Sequence, residues 1–536
     1  MGEDKEAMAS ARSDGIRGVL ACEDGLGKAI CLFVSALVSF ATVWALSLLA
    51  ENAFGLVANV YQLIFFMAAI FSAMVFFVFR HDIKSKPENV FLCCVLTFTC
   101  ASSVCYSVNE VSWDLDSHYW YMLEWSEPDR IVELSEADEA IVYRSESVVN
   151  TSIDAIDDRI AELDQLDDVQ GDTSTTLHGL WRDIYKRISS LPASALYFFL
   201  TVLGLPFSFR FIAARIAYAL IYSLVLYLGM RRLRSGKMIF AVVALFPTML
   251  FIASVYSYDY WVNAFVMMGV AYVVGVLQRP GEKITLREAV LMIGAFVIGL
   301  GPKAIYFPMI LLCLLVPRSS FASVTQSRVF RISVVGATLF VLASFAIPYF
   351  FVSGPGVGDL RGGSEVNSVE QIKFILANPI EYAGICLSFL GQYLSLPSSQ
   401  GYIISYAYLG MCSPVVWAVI LFIAAFTTVT DKAPCDYSVN TWKSRTLVMA
   451  LSFITLILVE TSLYVSFTAV ASSTVAGCQP RYILPLVFAF LVLIGPRSWS
   501  LSAKISRTPL YNGLILAVMV LLNYIGLWQV YIGLLH

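Results

Sequence analysis

The sequence predicts an all-α protein that crosses a membrane about thirteen times. Three observations carry that expectation. Hydrophobic residues make up 58% of the 536-residue chain and charged residues only 14%. A soluble chain is near half apolar and about a quarter charged. Apolar runs close to the ~20 residues a crossing helix needs recur along almost the whole length. The charges that remain are sorted: lysine and arginine fill a set of short loops, and acids fill one long loop.

Taken in order, residues 1–28 are polar ("GEDKEAMASARSDG") and read as a cytoplasmic tail. They lack the basic start and small-residue cleavage site of a removable signal peptide. Residues 29–108 hold three crossings, near 29–50, 60–80 and 88–108. Residues 109–193 form a long external loop, and residues 194–352 a transmembrane bundle. In that bundle, 194–208 ("SALYFFLTVLGLPFS") is short and reads as a re-entrant or interfacial piece, with a true span as the alternative. Crossings follow near 211–230, 238–255, 260–277, 288–300, 304–316 and 331–352, the pair at 288–316 being short and broken by "GLGPKAIYFP". The external loop 353–401 contains "SVEQIKFILANPIEYAGICLSFLGQYLSL". Its charged start and apolar periodicity predict a helix on the membrane surface. The last region, 402–534, supplies crossings near 402–428, 446–468, 481–497 and 510–534.

Sidedness follows from the short loops. "RHDIKSK", "RRLRSGK", "QRPGEKITLR", "PRSSFASVTQSRVFR" and "PRSWSLSAKISR" fall on one side, which is then cytoplasmic. The reading is a multi-pass protein of the cell membrane with its N-terminus inside and its C-terminus outside. The external loop 109–193 holds 20 acidic and 6 basic residues. Within it, "SIDAIDDRIAELDQLDDV" spaces Ile153, Ile156, Ile160, Leu163 and Leu166 as one face of a helix. This acidic insertion reads as a solvated helix packed on the external face. "NTS" at Asn150 matches a glycosylation sequon, a pattern frequent by chance.

Eleven cysteines show no CxxC pair, and most lie in apolar runs as small hydrophobes. Only four histidines occur, so a histidine-built metal site is not expected. No Walker loop, dinucleotide fingerprint or serine elbow is present. Chemistry must come from polar residues at membrane depth or at its outer edge, where each is costly.

In "NEVSWDLDSHYWYMLEWS", Asp114 and Asp116 follow a crossing and are flanked by Trp113, Tyr119 and Trp120. A carboxylate half-dried by aromatic rings suits a general base; the alternative is an ordinary interfacial aromatic belt. His118 lies four residues after Asp114, on the same face of a helix. Asp259 stands at the external end of a crossing in "SVYSYDYWVNAF". Lys303 occupies an external hairpin tip, where a lone lysine runs against the sidedness rule. Arg481 opens a crossing from outside in "GCQPRYILP". Lysine offers phosphate a point charge and arginine a fork; snorkelling to headgroups is the alternative for both. Every one of these residues maps to the external face. Two acids and two cations converging there suit an anionic, membrane-bound substrate and a hydroxyl partner.

The segments "RFIAARIAYALIYSLVLYLGMRRL", "FPTMLFIASVYSYDYWVNAF", "GPKAIYFPMILLCLLVP" and "GCQPRYILPL" resemble, in order and wording, a family of bacterial polytopic membrane proteins. That family is known only as a domain of unknown function and is grouped with the GT-C glycosyltransferases. The resemblance covers roughly residues 100–500. It implies a GT-C-like fold and a transferase of the cell envelope that uses a polyprenyl-phosphate sugar. It also implies an acidic motif in the first external loop. "DLDSH" keeps Asp114 and His118, but Leu115 stands where the family form has a second acid, so Asp114 and Asp116 both remain candidates for the base. The family's further motifs match Asp259, Lys303 with Tyr306, and Gln479 with Arg481 and Tyr482, as substrate-binding positions.

The function so implied is inverting transfer of a sugar from a polyprenyl-phosphate-linked donor to a glycan or lipid acceptor. The catalytic residues would be Asp114, Asp116 and His118. A divalent cation is conceivable between two acids and a phosphate, but no metal ligands are assigned. No nucleic-acid partner is expected. The competing class is a transporter or lipid flippase for envelope precursors, which would carry its ionisable residues near the midplane.

Overall fold

A chain inside hydrocarbon must satisfy its backbone within each segment, which favours helices. The computed structural model describes residues 25–109, 111–126, 131–143, 152–176, 184–351, 363, 365–495 and 508–536. These are helical almost throughout. Eight helices are long and apolar enough to cross a membrane: α1 (Gly25–Phe54), α2 (Val60–Val78), α3 (Pro87–Cys105), α4 (Phe207–Arg232), α5 (Asp259–Leu277), α6 (Val324–Ile347), α7 (Trp442–Ser466) and α8 (Pro509–Leu534). A bent pair, Ser368–Ala377 with Pro379–Tyr393, would make nine.

The remaining crossings expected from sequence fall on short or broken helices. Pro247 starts a new helix after Lys237–Ala244, and Pro414–Thr430 and Pro480–Ile494 are short. The segment Ala304–Leu315 winds as a 3-10 helix around Pro308. At ~2.0 Å per residue that form reaches further than an α-helix of the same length.

Local signals start the helices where chemistry allows. Asn59 and Gln62 form a reciprocal cap on α2, Thr441 caps α7, and Thr508 with Pro509 opens α8. The centre is α5, whose spanning window is 94% buried, against 17% for the lipid-facing α1. Gly269 lies under the Phe296 ring, with space for no Cβ, and so lets α5 approach the helix Leu286–Gly299 closely.

The two ends of the bundle are distinct. At one end the His536 carbonyl accepts the Ile153 N–H at 3.0 Å. Beside it the Leu535 carbonyl accepts from Gln62 Nε2 at 3.3 Å. At the other end Lys28 pairs with Asp82 at 2.7 Å, Lys237 with Glu88 at 2.7 Å, and Arg232 with Glu288. The basic loops at 80–86, 231–237 and 279–287 therefore share an end, opposite the acidic insertion. The N-terminal tail to residue 24, Asn150 and the basic loop 496–507 lie outside the described residues.

The acidic helix forms at Ile153–Leu166 and buries Ile156 and Leu163. Asp164 accepts from Ser208 N at 2.7 Å and Oγ at 2.8 Å, and Asp167 pairs with Arg210, so the insertion is fastened to α4. A feature outside the all-helical expectation accompanies it. Strand β1 (Ile131–Ser135) pairs antiparallel with β2 (Gln170–Thr176).

The helix Leu191–Val202 is ~18 Å long, short of a bilayer core. Gly204 at φ +67 turns the chain back into α4. Where a single surface helix is expected after residue 367, two helices meet at 106°. Pro379 supplies the break, since it lacks an N–H and bars its predecessor from helical geometry. Nine described cysteines are free.

Candidate functional site

The first loop is set by a buried cation. Where α3 ends, its last carbonyls need donors. Arg215 of α4, fully buried, donates to the Tyr106 carbonyl at 3.1 Å and the Ser107 carbonyl at 3.0 Å. The Ser107 N–H donates to the Tyr531 hydroxyl at 3.1 Å. The chain then reaches Asp114 at φ 54, in the left-handed region. A short polar side chain tolerates that region better than most, at a cost of order 1–3 kcal/mol. Asp114 leads into the helix Leu115–Ser126, and its carbonyl accepts the His118 N–H at 3.0 Å.

Three further elements bring charge to this point. Asp259 is the first residue of α5, where the helix dipole favours an acid. Lys303 comes from the hairpin tip before the 3-10 helix. Arg481 lies in a short 3-10 turn, Pro480–Ile483. Lys303 Nζ donates to Asp259 Oδ1 at 2.9 Å. Arg481 Nε stands 2.9 Å from Asp259 Oδ2, and Nη2 stands 3.6 Å from Asp114 Oδ2. The Nε–H does not aim at the nearby oxygen: Arg481 Nε and Nη1 and Asp259 Oδ2 are all buried without a hydrogen bond.

Aromatic faces complete the setting. The Arg481 guanidinium lies 4.1 Å from the Trp113 ring centre, and Lys303 Nζ lies 3.7 Å from that of Tyr482. The Tyr258 ring packs edge-on to His118 at 4.5 Å. Burial pushes His118 down to about 4, against the pull of Asp259 and Asp114. It is therefore a neutral imidazole near pH 7. Burial also lowers Lys303 from the usual ammonium range, and the Arg481 charge adds to this while Asp259 opposes it.

Asp114, His118, Asp259, Lys303, Arg481 and Tyr482 thus meet at one end of the bundle. The other candidates stand differently. Among the described residues no ion pair links Asp116 to the cluster. Tyr306 is fully buried and donates its hydroxyl to the Tyr482 carbonyl at 2.6 Å, which fixes the Arg481 turn. The Gln479 carbonyl accepts from Tyr393 at 2.9 Å, while its side-chain Oε1 is buried and unbonded. Sequence reading passed over Arg215, Tyr258 and Tyr393. A lone arginine inside the apolar run "RFIAARIAYAL" was the available signal for the first; nothing distinguishes the two tyrosines among 27.

No three His, Cys, Asp or Glu side chains converge to hold a metal ion among the described residues.

Comparison with known proteins gives one assignment. No curated protein and no solved structure matches the chain. Residues 201–490 match a family model described as "Predicted membrane protein (DUF2142)". The match takes in Asp259, Lys303, Tyr306, Gln479, Arg481 and Tyr482, and leaves out Asp114, Asp116 and His118. It covers just over half of the chain, which therefore belongs to this family of polytopic membrane proteins of unknown function.

Proposed function

We propose that this end of the bundle is a glycosyltransferase site of GT-C type, taking a sugar from a polyprenyl-phosphate donor on the external face. The observation that carries the reading is Arg481. It is nine-tenths buried, stands 2.9 Å from Asp259 Oδ2 and 3.6 Å from Asp114 Oδ2, and keeps the N–H groups on Nη1 unbonded. Buried donors are nearly always satisfied, so an arginine in this condition is suited to an incoming anion. Lys303 beside it supplies a second cation.

In this mechanism the donor phosphodiester sits against Lys303 and Arg481 and draws Arg481 away from Asp114. The freed carboxylate takes the proton of an acceptor hydroxyl. The acceptor oxygen forms a bond to the anomeric carbon as the carbon–oxygen bond to phosphate breaks on the opposite face. The electron pair leaves with the polyprenyl phosphate, whose added negative charge the two cations offset. Configuration inverts once. Asp114 is preferred to Asp116 as the base because it is the one in contact with Arg481. Neutral His118 and the rings of Trp113 and Tyr482 line the acceptor or sugar. Tyr306 and Gln479 hold the Arg481 turn in place.

The test is transfer by the full chain in proteoliposomes, offered a panel of polyprenyl-phosphate sugars. Transfer by the wild type that Asp114→Asn and Arg481→Gln lose supports the reading. Absence of transfer from every donor, with no binding of polyprenyl phosphate, overturns it. One observation favours a second reading, a transporter or flippase: the helix pair broken at Pro379, a form common in transporters. Movement of lipid-linked sugar between leaflets without bond cleavage would select it.

A further inference from the structure

Glu460 lies in α7, six residues before its end at Ser466, or ~9 Å below the rim that carries the candidate site. It is fully buried, and both carboxylate oxygens lack a hydrogen bond. An ionised, unsolvated carboxylate at such a place costs several kcal/mol unless something neutralises it. Its neighbours do not. The helix Pro379–Tyr393 presents the Cys386 thiol, which lends only a weak contact, and Tyr382, whose hydroxyl is spent on Thr461 Oγ1 at 2.6 Å. The loop before Arg481 presents Cys478.

The other elements against α7 offer no counter-charge. Ala304–Leu315 and Leu484–Ile494 contain no charged residue. On Ser368–Ala377, Glu370 and Lys373 are exposed and paired with each other at 2.6 Å. Tyr464 follows on the same face of α7 and gives its hydroxyl to the Ser472 carbonyl. On the bent pair itself, Gln371 is fully buried; its Oε1 accepts the Ala471 N–H at 2.9 Å, while its Nε2 is unbonded.

We propose that Glu460 is a second binding site of this chain, which holds one unit of positive charge, a proton or a sodium ion, between α7 and the bent helix pair. One carboxylate matches one such charge. The site has a mechanical consequence. The helix that brings Cys386 to Glu460 ends at Tyr393, whose hydroxyl donates to the Gln479 and Pro480 carbonyls at 2.9 and 3.1 Å, directly before Arg481. Neutralising Glu460 lets this helix close on α7 and holds the Arg481 turn. The proposal does not depend on sugar transfer, and its test reads no transfer.

The test uses the full chain in phosphatidylethanolamine–phosphatidylglycerol nanodiscs. Melting temperature is followed from about pH 5 to about pH 9, in sodium chloride and in choline chloride of equal strength. Glu460→Gln mimics the neutral side chain. The wild type should lose several degrees relative to E460Q as pH rises, because its folded state holds a proton that the unfolded chain has given up. Recovery of that loss by sodium but not by choline identifies sodium as an occupant; no recovery by either identifies the proton alone. Equal pH and salt responses in the two proteins overturn the proposal. If E460Q does not fold, carbodiimide modification of Glu460 in the wild type, read by mass spectrometry, decides the matter. Labelling that falls with rising pH or with sodium supports the site, and labelling absent or constant throughout overturns it.

Discussion

At the basic end of the bundle, Asp431, Lys432 and Asp436 are buried, as Asp259 and Arg481 are at the other end. The two clusters use the same residue chemistry and differ in how far it is satisfied. Asp431 accepts from the Met238 N–H at 2.6 Å, at the start of the helix Lys237–Ala244. Asp436 accepts from Ser235 at 2.6 Å, Gln278 at 2.9 Å and the Ala433 N–H at 2.7 Å. Lys432 reaches Asn440 and the Val492 carbonyl. None of these six polar side chains has an atom buried without a partner, whereas Asp259, Gln479 and Arg481 each do. A fully satisfied cluster serves as a clamp between helices. A partly satisfied one is costly to keep without a ligand, and such sites tend to be functional.

The largest expected effect breaks or supports the functional half of this contrast. Asp114→Asn removes the proposed base and keeps the shape, so transfer should fall about 10²–10⁴-fold in the proteoliposome assay. Melting temperature should change little. Unchanged transfer would return Asp116 as the candidate, and unchanged transfer in Asp116→Asn as well would remove the general base from the mechanism.

A matched pair tests the contrast itself. Asp436→Ala strands three donors in the clamp and should destabilise the protein by about 3–5 kcal/mol, measured by denaturant or thermal unfolding. Arg481→Gln should cost no more than about 1 kcal/mol, because Asp259 keeps Lys303 as its partner. The same variant should lose transfer about 10²–10³-fold. Comparable unfolding in the two variants would make both clusters structural.

Charge scarcity made the candidate site legible. In a chain with 14% charged residues, Asp114, Asp259, Lys303 and Arg481 each stand at the end of an apolar run, and two of them defy the sidedness rule. Their meeting was not legible, because it depends on packing. Arg215 holds the exit of α3, Asp114 adopts a left-handed backbone, and Pro308 winds its segment as a 3-10 helix. Sequence leaves Asp114 and Asp116 equivalent; the fold adds that Asp114 has the left-handed backbone and lies 3.6 Å from Arg481. The bond from the Tyr306 hydroxyl to the Tyr482 carbonyl was hidden for a related reason: a tyrosine hydroxyl's partner cannot be read from its neighbours in sequence. The β-ribbon escaped notice because "QGDTSTT" carries no apolar alternation. The number of long helices came out lower than the number of apolar runs because Pro247 and Pro308 break or rewind two of them and three others fold as helices of 11, 14 and 17 residues.

His118 provides a smaller effect with a definite sign. Its folded pKa, about 4, lies below the ~6.5 of an unfolded histidine. The stability this supplies is complete above about pH 6.5 and is lost as pH falls through about 4, because the unfolded chain then binds a proton the fold resists. The full span is worth about 3 kcal/mol. His118→Gln should flatten melting temperature against pH over that window relative to the wild type. An unaltered slope would mean that His118 is solvated, and the site wetter than its burial implies.

The smallest effect separates positioning from contact. Tyr306→Phe deletes one hydroxyl that donates to the Tyr482 carbonyl and leaves that buried acceptor short of a partner. The expected cost is about 1 kcal/mol of stability. Its consequence for chemistry runs through the Arg481 turn: a loosened guanidinium grips the leaving phosphate less well as its charge grows. The rate of transfer at saturating donor should then fall while KM stays near its wild-type value, since Lys303 still holds the ground-state phosphate. A rise in KM with an unchanged saturated rate would instead place the Tyr306 hydroxyl on the donor itself, as its motif suggested, and would require the Tyr482 carbonyl to release it when substrate enters.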